Sequence, residues 1–211
     1  MKLKVCGMKD NNNIKELIDV HPDYMGLIFH EKSPRNVEYD FSVQLPDGIK
    51  KVGVFVNEPE GFILDRIERF DIKYVQLHGV ESPHFCKQLK NSPLGRGLRG
   101  GLKIIKAFNI HENFNFDMLK EYEPHCDYFL FDAYGKNAGG NGITFNWDLL
   151  QNYKGATPFF LSGGMKLDIV NDVKNFSHPQ FVGVDINSGF EIEPGLKNIE
   201  LIKEFKEKLK N

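Results

Sequence analysis

The sequence predicts an α/β protein, a single-domain (β/α)8 or TIM-type barrel of parallel strands over residues 1–211. Three observations carry this. Eight short runs rich in β-branched and aromatic residues recur, nearly continuous in hydrophobicity, as strands buried on both faces are. Segments with helical spacing lie between most of them. The runs start 22 to 31 residues apart, the length of one strand-plus-helix unit. Eight such units in 211 residues make a barrel near the lower size limit of that fold. A doubly wound open sheet would need fewer strands and usually a Gly-rich first turn, whereas the first turn here reads Cys6-Gly7-Met8-Lys9.

Leu3–Cys6 is the first strand, and Ile14, Leu17 and Ile18 mark the next helix by their i, i+3, i+4 spacing. Met25–Phe29 is the second, followed between Arg35 and Gly48 by only a short helix near Phe41–Leu45. Val52–Val56 is the third, and Asn57 with Pro59 opens a helix whose buried stripe is Ile63, Ile67 and Phe70. After the fourth strand, Tyr74–Leu77, Ser82-Pro83 reads as an N-cap with Pro at the first helical position. The segment Asn91–Lys103 breaks the rhythm. Five of its thirteen residues are Gly or Pro, and it reads as a surface loop on the face opposite the functional one. The fifth to eighth strands are Ile104–Phe108, Tyr128–Phe131, Phe159–Leu161 and Phe181–Val184, with a brief helix around Trp147–Tyr153. Ile199, Ile202, Phe205 and Leu209 form one stripe on a Lys/Glu-rich final helix.

Composition narrows the partners. Lys+Arg 27 against Asp+Glu 29 gives a net charge of −2, so there is no broad basic field for nucleic acid. That also weighs against an RGG-like nucleic-acid contact at Arg96 and Arg99. No apolar run is long enough for a membrane span, and the N-terminus lacks the apolar stretch of a signal peptide. Cys6, Cys86 and Cys126 form no CxxC pair, which fits a reduced, cytoplasmic compartment. The seven histidines show no metal-ligand spacing, and no lysine stands out at a strand end as a Schiff-base former. The expected partner is a small molecule, with no metal and no cofactor; a monomer and a homodimer both fit.

In this architecture function belongs at the C-terminal strand ends and the loops beyond them. Ser162-Gly163-Gly164 and Asn187-Ser188-Gly189 fall after strands 7 and 8, where backbone N–H groups commonly bind phosphate. Gly139-Gly140-Asn141-Gly142 after strand 6 is either a third wall or a plain turn. Of five arginines only Arg35 lies in a loop on this face, as an anion ligand or a surface charge. Cys6 and Asp132 end strands 1 and 6 and form a potential acid–base pair. The base role needs a thiol pKa below its usual ~8.5, or use of the thiolate fraction. The alternatives are a small buried apolar Cys6 and an Asp132 that caps a helix. Asp185 also faces this mouth or caps a helix, and His78 orients substrate or serves the structure. Cys86 and Cys126 read as structural.

These segments together resemble the phosphoribosylanthranilate isomerase family of tryptophan biosynthesis. The resemblance rests on Lys4-Val5-Cys6-Gly7-Met8, Ser33-Pro34-Arg35, Val52-Gly53-Val54-Phe55-Val56-Asn57, Val75-Gln76-Leu77-His78-Gly79, Leu161-Ser162-Gly163-Gly164 and Asp185-Ile186-Asn187-Ser188-Gly189-Phe190-Glu191, in that order over nearly the whole chain. It implies an Amadori rearrangement of N-(5'-phosphoribosyl)anthranilate to 1-(2-carboxyphenylamino)-1-deoxyribulose 5-phosphate. Asp132 would be the general acid and Cys6 the general base. Arg35 would hold the anthranilate carboxylate, and Gly163, Gly164, Ser188 and Gly189 would line the phosphate site. Many relatives carry Lys and Asp where this chain has Ile143 and Asn146, and Ser where it has Asn187. The alternatives are a histidine-pathway isomerase, which places Asp where this chain has Cys6, indole-glycerol-phosphate synthase, which needs a longer chain and an active-site lysine, and an inactive phosphosugar binder, which needs neither Cys6 nor Asp132.

Overall fold

The computed structural model describes residues 1–38, 43–132 and 147–210. Eight strands close into a barrel in chain order: β1 (Lys2–Val5), β2 (Tyr24–Ile28), β3 (Lys50–Phe55), β4 (Tyr74–Leu77), β5 (Lys103–Asn109), β6 (Tyr128–Asp132), β7 (Phe159–Ser162) and β8 (Phe181–Ile186). All eight pairings are parallel, and β8 closes on β1 with Lys4 opposite Asp185. Each strand falls where the apolar runs predict it, and the structure is a closed (β/α)8 barrel. A short antiparallel ribbon, β9 (Glu191–Glu193) with β10 (Leu196–Lys197), follows β8.

The helices form where their caps or stripes require, except that the expected opening at Asn57 and Pro59 has no side-chain cap: Asn57 Oδ1 accepts from the Val80 amide instead. In α1 (Asn11–Ile18) the Asp10 carboxylate accepts from the Asn13 amide at 2.8 Å, satisfying one of the free N–H groups of the first turn. In α3 (Pro83–Lys90) Ser82 does the same for Phe85, with Pro83 at the first position. In α2 (Glu60–Phe70) the buried side is Ile63, Ile67 and Phe70, and in α6 (Ile199–Lys210) it is Ile199, Ile202 and Phe205.

The insertion Asn91–Lys103 departs from the expected loop: it contains a helical turn, α4 (Pro93–Gly97). Ser92-Pro93 repeats the signature of Ser82-Pro83, with Ser92 Oγ accepting from the Gly95 amide at 3.0 Å. Gly95 is buried because a Cβ there would stand 2.9 Å from the Leu89 carbonyl, so glycine lets this turn press on α3. Glycine content made the segment look like a loop, but here one glycine serves packing.

Among the described residues, a short 3-10 segment, Phe116–Glu121, follows β5, and another, Trp147–Asn152, precedes β7. After β7 a 3-10 turn, Leu167–Ile169, leads into α5 (Val170–Asn175). The expected helix near Phe41–Leu45 lies partly outside the described residues, and Val43–Leu45 is irregular. Gly139–Gly142, Ile143 and Asn146 lie outside them altogether.

Two apolar layers hold the barrel. The larger lies between strands and helices. The smaller fills the barrel interior with Tyr24, Val52, Val54, Ile105, Ala107, Leu130 and Phe160. Tyr24 is fully buried and meets Tyr74 and Phe160 edge-on, with centroids 5.3 and 5.4 Å away. Lys50 and Lys2 stand over the Tyr24 and Tyr128 rings at 4.9 and 5.1 Å. These aromatics plug the N-terminal end of the barrel and leave its C-terminal mouth as the place where polar side chains gather.

Candidate active site

A cleft of about 390 Å³ opens at that mouth. Cys6, Gln76, His78, Asp132, Ser162, Gly163, Gly164, Asp185, Asn187, Ser188 and Gly189 all line it, with Ile28, Val54, Val56 and Met165 as its apolar walls. Among the described residues, each site residue that the sequence singles out reaches this cleft except Arg35.

The alternation of side chains along each strand explains the gathering. Lys4 on β1 and Cys6 just beyond it share the interior face, as do Gln76 on β4 and His78 just beyond it, and Asp132 ends β6. The Gln76 amide nitrogen lies 2.9 Å from His78 Nδ1, and His78 Nε2 lies 3.5 Å from Asp132 Oδ2. With the amide donating, His78 carries its proton on Nε2 and turns it toward the carboxylate. Among the described residues, Asp132 Oδ1, Gln76 Oε1 and Asp185 Oδ1 are buried acceptors with no protein partner, all on residues of the cleft wall.

Beneath the thiol lies a buried ion pair. Lys4 and Asp185 are almost wholly buried, and Nζ donates to Oδ2 at 2.8 Å. The sequence reading placed no lysine at the mouth. It missed Lys4 because a strand lysine two residues before a cysteine reads as solvated, whereas the period of two puts both inside. Burial pushes the Cys6 thiol up from its ordinary value, against the pull of Lys4 and Lys197. Of the two routes the base role leaves open, this favours use of the thiolate fraction, because desolvation outweighs the cations. Burial likewise pushes the Asp185 carboxyl up, opposed by Lys4.

Arg35 does not form part of the cleft wall. Its Nε donates to both Glu191 oxygens at 2.8 and 3.1 Å, and Nη2 donates to Oε2 at 2.6 Å. The same carboxylate accepts from Lys197 Nζ at 2.5 Å and the Gly195 amide at 3.1 Å. These cationic and amide donors outweigh burial and hold Glu191 down at about 2. Lys197, buried in β10, also donates to Asn187 Oδ1 at 2.7 Å, so the ribbon after β8 ties Arg35 to the loop that lines the cleft. Glu191 and Lys197 were invisible as partners in the sequence because nothing local pairs them with Arg35.

The two glycine loops meet face to face. Gly163 and Gly164 take φ of +88° and +63°, a left-handed path that side chains disfavour. Gly189 presses on the Met165 carbonyl so closely that a Cβ would overlap it. The 3-10 turn Ser188–Phe190 starts beside them. Successive turned peptides of this kind make a concave surface suited to an anion.

Among the described residues no group of three or more His, Cys, Asp or Glu is placed to hold a metal ion, and no helix is long and apolar enough to cross a membrane. Lys106, also buried, points to the outer layer and pairs with Glu81 at 3.2 Å, outside the cleft.

Residues 3–208 match the family model for N-(5'-phosphoribosyl)anthranilate (PRA) isomerase. The chain is 43% identical to the N-(5'-phosphoribosyl)anthranilate isomerase of Parabacteroides distasonis, over 97% of this chain and 91% of that one. It is 40% identical to the enzyme of the same name from Phocaeicola vulgatus, over 100% and 98%. A crystal structure of phosphoribosyl anthranilate isomerase with reduced 1-(o-carboxyphenylamino)-1-deoxyribulose 5-phosphate superposes with a TM-score of 0.82 at 27% identity, covering 100% of this chain and 98% of that one.

Proposed function

Because the chain belongs to the N-(5'-phosphoribosyl)anthranilate isomerase family and is an isomerase of tryptophan biosynthesis, we propose that its cleft divides the Amadori rearrangement between Asp132 and Cys6. The observation that carries this is that one cleft holds a carboxylate at the end of β6 and a thiol just beyond β1, with two glycine loops beside them.

Asp132 donates a proton to the furanose ring oxygen. The C–O bond to the anomeric carbon breaks, and the nitrogen lone pair forms an imine. Cys6, as thiolate, removes the proton from the adjacent sugar carbon, giving an enolamine. Tautomerisation to the ketone completes an isomerisation in which nothing is oxidised or reduced overall. The substrate's own nitrogen accepts the electron pair, so the chemistry calls for no cofactor or metal. His78, within 3.5 Å of Asp132, orients the acid. Asp185 Oδ1 and Gln76 Oε1 are free to accept from sugar hydroxyls.

The phosphate lies against Gly163, Gly164, Asn187, Ser188 and Gly189, held by backbone N–H groups. Arg35 takes the anthranilate carboxylate. Glu191 occupies its Nε and Nη2, and among the described residues nothing accepts from Nη1, which leaves that edge for the substrate. The enzyme acts in the cytoplasm, where its three free cysteines stay reduced. Its partner is the small-molecule substrate, and it works as a monomer or homodimer.

The test is a fluorescence assay. Anthranilate, phosphoribosyl pyrophosphate and an excess of the transferase that joins them supply the substrate, and the anthranilate-type fluorescence falls when the isomerase is added. No fall would remove the assignment.

A further inference from the structure

We propose that Lys4 is a positioning residue for this reaction, its ammonium shared between Asp185 and the Cys6 sulfur so that the two buried charges together set how readily Cys6 ionises. The proposal rests on the reading of Cys6 as the base, and its test separates the two.

The geometry begins at Gly26 on β2, which pairs with β1. A Cβ there would stand 2.8 Å from Cys6 Sγ and 3.2 Å from Lys4 Nζ. Any side chain at this position would collide with both, so glycine lets thiol and ammonium occupy the same corner. Lys4 Nζ donates to Asp185 Oδ2 at 2.8 Å and shares with Cys6 Sγ the space that glycine leaves open at position 26. Its aliphatic stem and its head are fully buried, and such a charge persists only with partners. A lysine whose sole duty were to pair with Asp185 would have no reason to face the one thiol at the cleft.

The charged groups facing Cys6 come from every element around it: Lys4 on β1, Asp185 on β8, Lys197 on β10, and Arg35 in the loop after β2. Glu191 neutralises much of Arg35 and Lys197 by direct ion pairs. Lys4, whose ammonium shares the corner at Gly26 with the sulfur, is thus the cation left to act on it, and Asp185 the anion that competes for that cation. The two act in opposite senses. Lys4 favours the thiolate, and Asp185 opposes it both by its own charge and by drawing on the same ammonium.

The experiment follows Cys6 alkylation by iodoacetamide as a function of pH in the folded enzyme, quantified on the Cys6 peptide by mass spectrometry. It is run on the wild type, Lys4→Met and Asp185→Asn, alongside the pH profile of kcat/KM. The labelling midpoint is expected to rise by about one pH unit or more in Lys4→Met and to fall in Asp185→Asn. A merely structural role for the pair would lower activity in both variants without moving the midpoint in opposite directions. If Lys4→Met does not fold, the downward shift in Asp185→Asn decides. Unmoved midpoints, or shifts of the same sign in both variants, overturn the proposal. If the midpoints move as expected while the kcat/KM limb stays in place, Lys4 still sets the ionisation of Cys6, and it is the assignment of Cys6 as base that fails.

Discussion

Glu191 grips Arg35 along one edge of its guanidinium, with Nε at 2.8 Å from Oε1 and Nη2 at 2.6 Å from Oε2. The arginine is thereby oriented before substrate arrives, and less side-chain freedom is lost on binding. Arg35→Ala should raise KM about tenfold or more and leave kcat within about threefold, because the carboxylate it holds is remote from the reacting bonds. Glu191→Gln should raise KM in the same direction. An unchanged KM in Arg35→Ala would sink the carboxylate assignment.

Glu191 also predicts acid behaviour. Its folded pKa of about 2 lies below the ordinary 4.5, so the stability it contributes is present above about pH 4.5 and is lost as pH falls toward 2. The stability gap between wild type and Glu191→Gln, read by urea unfolding, should therefore narrow across that window. Glu191→Gln also leaves Lys197 buried with a weakened partner, so the variant should be the less stable at neutral pH. A gap that does not change between pH 5 and about pH 2.5 would refute the linkage.

Asp132 and His78 form the second testable pair. Asp132→Asn keeps the shape of the side chain and removes the acid proton, so kcat should fall at least about a hundredfold. His78→Ala leaves the acid in place but removes the neighbour 3.5 Å away, and a smaller loss, about tenfold, is expected. Turnover near the wild-type value in Asp132→Asn would exclude it as the acid. A loss in His78→Ala equal to that in Asp132→Asn would mean that the imidazole handles the proton itself.

Much of this was legible in the chain because it depends on local periodicity. Strand runs such as Tyr128–Asp132 announce themselves, and a residue at a strand's C-terminal end must reach the mouth, which is why Cys6, His78, Asp132 and Asp185 could be picked out. What depends on pairs remote in sequence was not legible. Lys4 meets Asp185 and Arg35 meets Glu191 only because the barrel closes β8 on β1. The ionisation of Cys6 stays open in the sequence for the same reason: its direction is a contest between burial and cations that only three dimensions reveal. In Asn91–Lys103 the glycine count concealed the Ser-Pro cap that composition alone cannot weigh.

The proposed phosphate cradle would depend on backbone approach rather than on charge. A Cβ on Gly189 would overlap the Met165 carbonyl and stand 3.0 Å from Lys166 Cγ, so Gly189→Ala must push the loops after β7 and β8 apart. Gly164→Ala meets no atom within 4 Å but must hold φ of +63°. Both should raise KM and weaken competitive inhibition by inorganic phosphate. Gly189→Ala should do so more strongly, because it changes the shape of the cradle and not only its strain. Phosphate inhibition unchanged in Gly189→Ala would place the phosphate elsewhere.

The thiol gives the clearest prediction of pH dependence. As the proposed base Cys6 would act only as thiolate, and burial lifts its ionisation above the ordinary thiol range in the free enzyme. Since kcat/KM reports groups of the free enzyme, it should climb with pH through neutrality into the alkaline range, by about one decade per pH unit on the rising limb. Cys6→Ser replaces the thiol by a far weaker acid, so kcat should drop at least about a hundredfold and the climb should disappear from the accessible range. A bound substrate covers the cleft and alters the surroundings of the sulfur, so the limb in kcat need not coincide with that in kcat/KM. A kcat/KM profile already flat from about pH 6 upward would show that Cys6 is ionised at neutrality and that the cations, not burial, win at this site.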